Sequence, residues 1–299
     1  MVYYSVKRGA THMSRKQTLT IVELERVAND IRKDIIRMLE HAKSGHAAGP
    51  LDLADMFAAL YMDVLQHDPK NPEWEDRDIM VLSAGHCAPV QYAAMAYAGY
   101  FDKKELMTLR QYGSRLQGHP ERLRLPGLET TSGPLGEGLG QAVGMALGMR
   151  LQKQYHRWVY CVMGDGELNE GNIWEAAMMA SKYHLHNIIG IVDRNNIQID
   201  GNTEDVMPLE NLKDKWEAFG WHVVEIDGHN IESFINACSM ARAVVEKPTV
   251  IIAHTIPGKG VPFMEYDFHW HGAQPDAQQA KLALRKLQSL DGKIRGGDE

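Results

Sequence analysis

The sequence contains few of the features that mark secreted, membrane-spanning or disulfide-stabilised proteins. Its 299 residues include only three cysteines, Cys87, Cys161 and Cys238, and these lie far apart. An odd and scattered set of thiols argues against a disulfide framework or a zinc site and favours a reducing, cytoplasmic location. No apolar run approaches the roughly 18–20 residues needed to cross a bilayer, so we expect no membrane partner. The polar N-terminus also lacks the apolar stretch of a signal peptide.

Positive charge is scarce as well. The chain has 32 lysines and arginines against 39 aspartates and glutamates, which gives a formal net charge of -7. Nucleic-acid-binding domains are more often basic, so we expect no nucleic-acid partner. Mild acidity says little about substrate, and a phosphate-bearing ligand would need local hydrogen-bond donors.

Linkers, repeats and low-complexity tracts are absent from the interior of the sequence. We therefore predict one domain at residues 18–290, with an N-terminal tail at 1–17 and a C-terminal tail at 291–299. The composition, 44% hydrophobic and 24% charged, is that of a globular chain that can bury a large core.

The apolar residues that are present follow helical and strand patterns in turn. Helical spacing begins at Leu24 and ends near Gly45, and a second helix is predicted from Asp52, a good N-cap. Short apolar runs predict five buried strands, at residues 79–82, 158–163, 187–192, 222–226 and 249–253. Strands that alternate with helices indicate an α/β three-layer sandwich, in which helices flank a mostly parallel central sheet. Such sheets bind ligands at the carboxyl ends of their strands.

Four glycines, Gly136, Gly140, Gly144 and Gly148, recur every fourth residue in one helical segment. Each costs a helix roughly 1 kcal/mol relative to alanine, and this spacing places them on one helical face. Two explanations stay open at this point: tight helix packing in the core, and close approach of a cofactor.

Two strand ends carry the strongest chemical signal. Gly164-Asp165-Gly166 follows the strand that ends at Met163, and Asn195 follows the next strand, thirty residues after Asp165. One helix and one strand fill that gap, so the two strand ends can lie side by side. An aspartate, an asparagine and a nearby backbone carbonyl form a hard-oxygen site that suits magnesium, with diphosphate oxygens and water as further ligands. Gly-Asp-Gly alone mostly marks turns, and the pairing with Asn195-Asn196 makes the signal specific.

This pairing resembles the thiamine-diphosphate motif shared by transketolases, decarboxylases and keto-acid dehydrogenases. Further segments resemble the amino-terminal, diphosphate-binding domain of transketolases, and together they run from about Leu24 to Pro275. These segments are Ser44-Gly45-His46, Leu82-Ser83-Ala84-Gly85-His86, Gly118-His119-Pro120, Thr131 to Gly136, Gly164 to Gly171, Asn195 to Gly201 and Trp270-His271-Gly272.

The resemblance implies a thiamine diphosphate cofactor held through Mg²⁺, with Ca²⁺ or Mn²⁺ as substitutes. Asp165 and Asn195 would bind the metal by their side chains, and Ile197 by its carbonyl. Gly133, Leu135, Gly164 and Gly166 would offer backbone groups to the cofactor, and Ile199 would lie under its thiazolium ring.

The same resemblance gives roles to four histidines and one glutamate. His86 and His271 would contact the diphosphate or the reacting centre, whereas His46 and His119 would face the sugar; histidine suits proton exchange near neutrality. Glu170 resembles the family's glutamate at the subunit interface, near the cofactor. A single histidine is more often structural or exposed, and an acid such as Glu170 can simply stabilise a helix N-terminus.

The sequence departs from the family pattern in three places. Ala47 and Ala48 follow His46 where a proline is common, and Glu137 stands where an amide or a small residue is frequent. His269 competes with His271 for the role of the last histidine.

The implied reaction is transfer of a two-carbon ketol unit from a ketose phosphate to an aldose phosphate, through a thiamine-diphosphate carbanion. In the family a glutamate on a second, pyrimidine-binding domain activates the cofactor, and that domain is not in this sequence. We therefore expect the partner to be a separate C-terminal transketolase subunit, with two copies of each chain in the enzyme and sugar phosphates as substrates. The alternatives are another thiamine-diphosphate enzyme subunit, resembling a deoxyxylulose-phosphate synthase or a keto-acid dehydrogenase alpha subunit, or a non-catalytic protein that kept the fold.

Overall fold

The computed structural model describes residues 19–295 of the chain. The predicted tail at residues 1–17 and the last residues, 296–299, lie outside this range. The final helix runs through Arg295, five residues into the segment predicted as a C-terminal tail. There the carboxylate of Asp291 accepts hydrogen bonds from Asn29 and Lys33 of the first helix.

A five-stranded parallel sheet forms the centre of the fold. Its strands lie in the order β1-β2-β3-β7-β6, and two further short strands, β4 and β5, pair antiparallel in a hairpin. The bounds are β1 Ile79–Leu82, β2 Val159–Gly164, β3 Ile188–Arg194, β4 Ile197–Gln198, β5 Gly201–Asn202, β6 His222–Asp227 and β7 Thr249–His254. All five predicted strands are present. Those of the sheet centre are short apolar runs buried between helices, whereas the edge strand β6 is partly buried and exposes Glu225 and Asp227.

In the described part of the chain, ten α-helices connect and cover the strands. Their bounds are α1 Ile21–Ala42, α2 Ala48–Asp52, α3 Ala54–Ala59, α4 Ala88–Ala98, α5 Glu137–Leu151, α6 Gly171–Lys182, α7 Thr203–Val206, α8 Leu212–Ala218, α9 Ile231–Ala243 and α10 Ala277–Arg295. The longest, α1, begins with a capping box between Thr20 and Glu23. Within residues 19–295, no helix is both long and apolar enough to cross a bilayer.

The sheet separates two hydrophobic cores because successive strand residues point to opposite faces. Met80 and Leu82 of β1 pack into the core formed with α1, α3, α4 and α9. Ile79 and Val81 of the same strand pack into the core formed with α5, α6 and α8. The fold is therefore the predicted three-layer α/β sandwich.

Two details of the predicted helix boundaries differ from the structure. The first helix ends at Ala42, close to the predicted Ser44-Gly45, but Lys43, with φ 54°, takes the left-handed conformation that was expected of Gly45. Asp52 is the last residue of α2 and caps no helix. Its side chain instead hydrogen-bonds to Asn195, far along the chain, and a local pattern cannot anticipate that use.

The regularly spaced glycines within the helix, Gly140, Gly144 and Gly148, are not the positions of its close contacts. A Cβ on Gly140, Gly144 or Gly148 would meet nothing within 4 Å. Gly136 lies before α5 in a left-handed conformation, with φ 82°. Gly138 packs so tightly that a Cβ would lie 2.4 Å from the side chain of Ser83. Close approach is thus confined to the start of α5, next to the strand ends.

Candidate active site

The carboxyl ends of β1, β2 and β3 open into one cavity of about 350 Å³. This volume falls at the low end of the roughly 300–1,000 Å³ typical of ligand pockets. The strands are in parallel register, so their carboxyl ends meet at one edge of the sheet. Twelve of the thirteen predicted site residues line the cavity: His46, His86, His119, Gly133, Leu135, Gly164, Asp165, Gly166, Asn195, Ile197, Ile199 and His271.

The four predicted histidines form one cluster inside this cavity. The ring of His46 lies 5.0 Å from that of His86, 6.5 Å from His119 and 6.1 Å from His271, measured between centroids. The rings of His86 and His271 are 5.1 Å apart. Four segments widely separated in sequence, each with its own histidine motif, therefore converge on one point.

Burial keeps these imidazoles neutral. It lowers the pKa of His46 to about 4, with help from the neighbouring His271, Arg110 and His119. The pKa of His86 is well below its ordinary value for the same main reason. Burial likewise lowers the pKa of His119 and of His271. Near pH 7 each ring can therefore both donate and accept a hydrogen bond.

Asp165 is held by four hydrogen bonds at the end of β2. One oxygen, Oδ1, accepts from the amide of Gly166 at 2.7 Å. The other accepts from Nη1 of Arg194 at 2.9 Å, from the amide of Asn196 at 2.8 Å and from the hydroxyl of Thr203 at 3.3 Å. Burial raises the pKa of Asp165, and the Arg194 guanidinium opposes that rise.

Two buried aspartates anchor Asn195. The amide nitrogen of Asn195 donates to Oδ2 of Asp52 and to Oδ2 of Asp193, both at 3.1 Å. Its oxygen accepts from the amide of Ile197 at 3.1 Å. Because the nitrogen is committed to two carboxyls, the amide oxygen is the atom left with a free lone pair for a cation.

Asp52 and Asp193 were not predicted as site residues. Asp193 stands next to the motif, and its hydroxyl donor, Thr255, is sixty-two residues away. Burial raises the pKa of both aspartates, and the neighbouring carboxyl of Asp193 adds to the rise for Asp52. The only sequence signal for Asp52 is an acid within an apolar helical run.

Glu167 is a third residue that sequence reasoning missed. Its buried carboxylate accepts hydrogen bonds from the hydroxyl of Ser83, from the amide of Gly136 at 2.8 Å and from the amide of Gly164 at 3.1 Å. It thus ties the end of β1 and the loop before α5 to the end of β2. An acid directly after Gly-Asp-Gly was the available signal.

Two residues considered in the sequence analysis, Glu170 and His269, lie outside the cavity. Glu170 does not line the cavity; it is exposed at the N-terminus of α6, beside Gly136, and its side chain makes no capping hydrogen bond. His269 lies outside the cluster, with its side chain 75% exposed and bonded to Asp267 at 2.7 Å. Of the two competing histidines, His271 is therefore the one in the cavity.

The oxygen atoms of Asp165, Asn195 and Ile197 suit a metal ion that is also bound by a diphosphate. Within the described residues, no group of three or more His, Cys, Asp or Glu side chains is placed to bind a metal ion by itself. Asp165, Asn195 and Ile197 instead offer a carboxylate, an oriented amide oxygen and a backbone carbonyl beside one cavity. Hard-oxygen donors of this number suit Mg²⁺ when diphosphate oxygens and water complete the shell.

Comparison with known proteins places this arrangement in a family. Residues 24–291 match the family described as "Transketolase, thiamine diphosphate binding domain". The 6-deoxy-6-sulfo-D-fructose transketolase subunit of Clostridium sp. (strain MSTE9) is 41% identical over 267 residues, which cover 89% of this chain and 97% of that protein. One of the subunits of the apulose-4-phosphate transketolase of Phocaeicola vulgatus is 39% identical over 269 residues, which cover 90% of this chain and 95% of that protein.

Solved structures show the same fold. A transketolase from Pichia stipitis superimposes with a TM-score of 0.85 at 32% sequence identity. The match covers 90% of this chain but only 41% of the Pichia chain. This chain therefore spans less than half the length of that transketolase and nearly the full length of the two related subunits.

Proposed function

This chain belongs to the transketolase family and corresponds to the thiamine-diphosphate-binding domain of that family. We therefore propose that it is one subunit of a two-chain transketolase. The proposed reaction transfers a two-carbon ketol unit from a ketose phosphate to an aldose phosphate. The observation that carries this proposal is the convergence of His46, His86, His119 and His271 with Asp165 and Asn195 around one cavity.

The strand ends would hold the cofactor through a divalent metal. Asp165, Asn195 and the carbonyl of Ile197 would bind Mg²⁺, and backbone groups at Gly164 and Gly166 would face the diphosphate. The amides of these two glycines already donate to Glu167 and Asp165, so their contribution would be close approach of the backbone to the diphosphate. When bound, thiamine diphosphate supplies the carbanion that carries the ketol unit.

The histidine cluster would receive the sugar. Neutral imidazoles donate and accept hydrogen bonds, so they can orient hydroxyls and pass protons at the reacting centre. We assign His46 and His119 to the sugar, and His86 and His271 to the diphosphate and the reacting centre. His46 is the ring that contacts all three others, so it links the two pairs.

Exposed apolar side chains at the rim of the cavity favour contact with a partner chain. Ile199 and Leu135 line the cavity, yet 57% and 39% of their surfaces are exposed. Apolar side chains at a ligand site are normally covered, here by cofactor and by partner. We propose that the partner supplies the pyrimidine-binding domain and its activating glutamate, that Glu170 faces it, and that the enzyme contains two copies of each chain.

Product analysis tests the reaction. The chain would be mixed with a candidate partner, thiamine diphosphate and Mg²⁺, and given a panel of ketose phosphate donors and aldose phosphate acceptors. Mass spectrometry should show products that are two carbons longer and two carbons shorter than the reactants. Products formed from pyruvate instead would indicate a deoxyxylulose-phosphate synthase-like or dehydrogenase-like enzyme. Absence of any stabilisation by thiamine diphosphate would indicate a non-catalytic protein.

A further inference from the structure

Arg110 lies between the two loops that carry His46 and His119. Its Nη1 donates a hydrogen bond to the hydroxyl of Ser44 at 2.9 Å. A Cβ on Gly118 would lie 2.9 Å from both Nε and Cζ of Arg110. The guanidinium therefore packs directly against the backbone of the second loop.

The guanidinium lies next to the glycines that directly precede both histidines. It fills the space that a side chain at Gly118 would need. A Cβ on Gly45 would lie 3.6 Å from Nε of Arg110, an ordinary van der Waals contact, and 2.5 Å from Cδ2 of Leu39, so Leu39 is what requires glycine at that position. The two histidine loops are thus fitted to the same arginine.

The backbone of Arg110 is also unusual. Its φ is 59°, in the left-handed region that non-glycine residues rarely adopt. Its amide donates to the carbonyl of Leu116 at 2.9 Å, which closes the turn that leads to Gly118. Strained conformations of this kind persist where the surrounding structure requires them, often at functional sites.

The charge of Arg110 has no acidic partner in the part of the chain that the structure describes. Among those residues no carboxylate forms an ion pair with its guanidinium, and no acceptor bonds to its buried Nε. Burial lowers the pKa of Arg110, and Tyr92 opposes that change. A half-buried cation without a counter-ion destabilises a fold, so its presence here favours a role in the site.

We propose that Arg110 is a positioning residue for the two sugar-facing histidines. Its guanidinium ties the His46 loop to the His119 loop and places a fixed positive charge beside both rings. This inference rests on the proposed function, because it assigns a task to the histidines that would meet the sugar.

The charge acts on both rings in the same direction. The Arg110 guanidinium lowers the pKa of His46 and that of His119, after burial as the larger cause. The other groups facing His46 are His86, His119 and His271, and no carboxylate of residues 19–295 contributes to either pKa. Arg110 therefore keeps both imidazoles unprotonated at pH values where a free histidine would begin to carry charge.

Three variants separate the tie from the charge. Arg110→Met removes both, Arg110→Lys keeps the charge without the planar fork, and Ser44→Ala removes the tie alone. Arg124→Met is the matched control, because Arg124 is an exposed arginine of the same region, bonded to Glu121. Circular dichroism of each variant would verify the fold.

The first readout is histidine titration by NMR on the chain itself, with His46 and His119 assigned through His46→Gln and His119→Gln variants. Arg110→Met should raise the pKa of both histidines above their wild-type values. Arg110→Lys, Ser44→Ala and Arg124→Met should leave both close to wild type. Equal pKa values of the two histidines in wild type and Arg110→Met would overturn the proposal. If Arg110→Met does not fold, the comparison is made between Arg110→Lys and Arg124→Met. A higher histidine pKa in Arg110→Lys than in Arg124→Met would then contradict the proposal.

The second readout is kcat/KM of the assembled two-chain enzyme against pH. The acid limb should move to higher pH in Arg110→Met and stay in place in Arg110→Lys and Ser44→Ala. Loss of the tie should lower kcat/KM roughly tenfold or more across the profile, since small displacements at a reacting centre have large effects. Wild-type kcat/KM in both Arg110→Met and Ser44→Ala would refute the role of Arg110 in holding the His46 and His119 loops together. Absence of ketol transfer in every preparation would refute the proposed function, whereas the NMR titration would still decide the role of Arg110.

Discussion

Substitution of two glycines in α5 should move stability in opposite directions. Gly138 is packed against the end of β1, where a Cβ would lie 2.4 Å from Cβ and Oγ of Ser83 and 2.6 Å from its Cα. Gly144 lies six residues later, with nothing within 4 Å of its own Cβ position. Both residues belong to α5, Gly138 in its first turn and Gly144 in its interior, so each is the control for the other.

The magnitudes follow from these contacts. Overpacking at Gly138 costs about 1–3 kcal/mol. Displacement of Ser83 also breaks its bonds to the amide of Gly138 and to Glu167, and an unsatisfied buried polar group costs about 1–3 kcal/mol. The gain in helix propensity from glycine to alanine offsets about 1 kcal/mol. Gly138→Ala should therefore destabilise the chain by about 1–5 kcal/mol, whereas Gly144→Ala should stabilise it by up to about 1 kcal/mol.

Urea-induced unfolding followed by circular dichroism measures both free energies. Gly138→Ala should also weaken thiamine diphosphate binding, because Glu167 holds the loop at Gly136 and the strand end at Gly164 through their amides. A Gly138→Ala chain within about 0.5 kcal/mol of wild type, the usual range of surface substitutions, would refute this account of the packing. So would a destabilising Gly144→Ala in the isolated chain.

Three further predictions concern the cavity. Asp165→Asn should abolish the Mg²⁺-dependent rise in melting temperature on addition of thiamine diphosphate; an unchanged rise would remove Asp165 from the metal site. His271→Ala should lower kcat by roughly 10²–10⁴-fold, the range for a proton-transfer residue, whereas His269→Ala, on an exposed side chain, should stay near wild type; equal losses would contradict the assignment. As the pH falls from 7 to 4, wild type should lose stability relative to His46→Gln, because the unfolded state takes up protons below about pH 6.5 that a buried His46, with its pKa of about 4, refuses. The difference between the two urea-denaturation profiles should reach about 2 kcal/mol at pH 4, and parallel profiles would show that His46 is not buried as a neutral ring.

The strands of the sheet could be predicted from the sequence because each is marked by a pattern of neighbouring residues. Ile79–Leu82, for example, is a short apolar run bounded by polar residues, and its burial on both faces leaves few alternatives. The proximity of Asp165 and Asn195, the proposed metal ligands, could be predicted for a related reason. They follow directly after two such strands, and parallel strands bring their carboxyl ends together.

The unpredicted residues depend on contacts between distant segments. Asp52 has the local appearance of an N-cap, yet its partner Asn195 is 143 residues away. Arg110 belongs to no motif, and its importance becomes visible only when the loops at Gly45 and Gly118 are folded around its guanidinium. The residue that closes α1 was predicted incorrectly for a simpler reason. Lys43 takes the left-handed conformation that glycine favours.

The central claim, that this chain is half of a transketolase, is tested most directly by reconstitution. Ketol transfer would be measured with a fixed amount of this chain and increasing amounts of the candidate partner, in thiamine diphosphate and Mg²⁺. The account predicts no turnover from either chain alone, activity that saturates at one partner per chain, and no activity when Asp165→Asn replaces wild type. Full turnover by this chain alone, or undiminished turnover with Asp165→Asn, would contradict it.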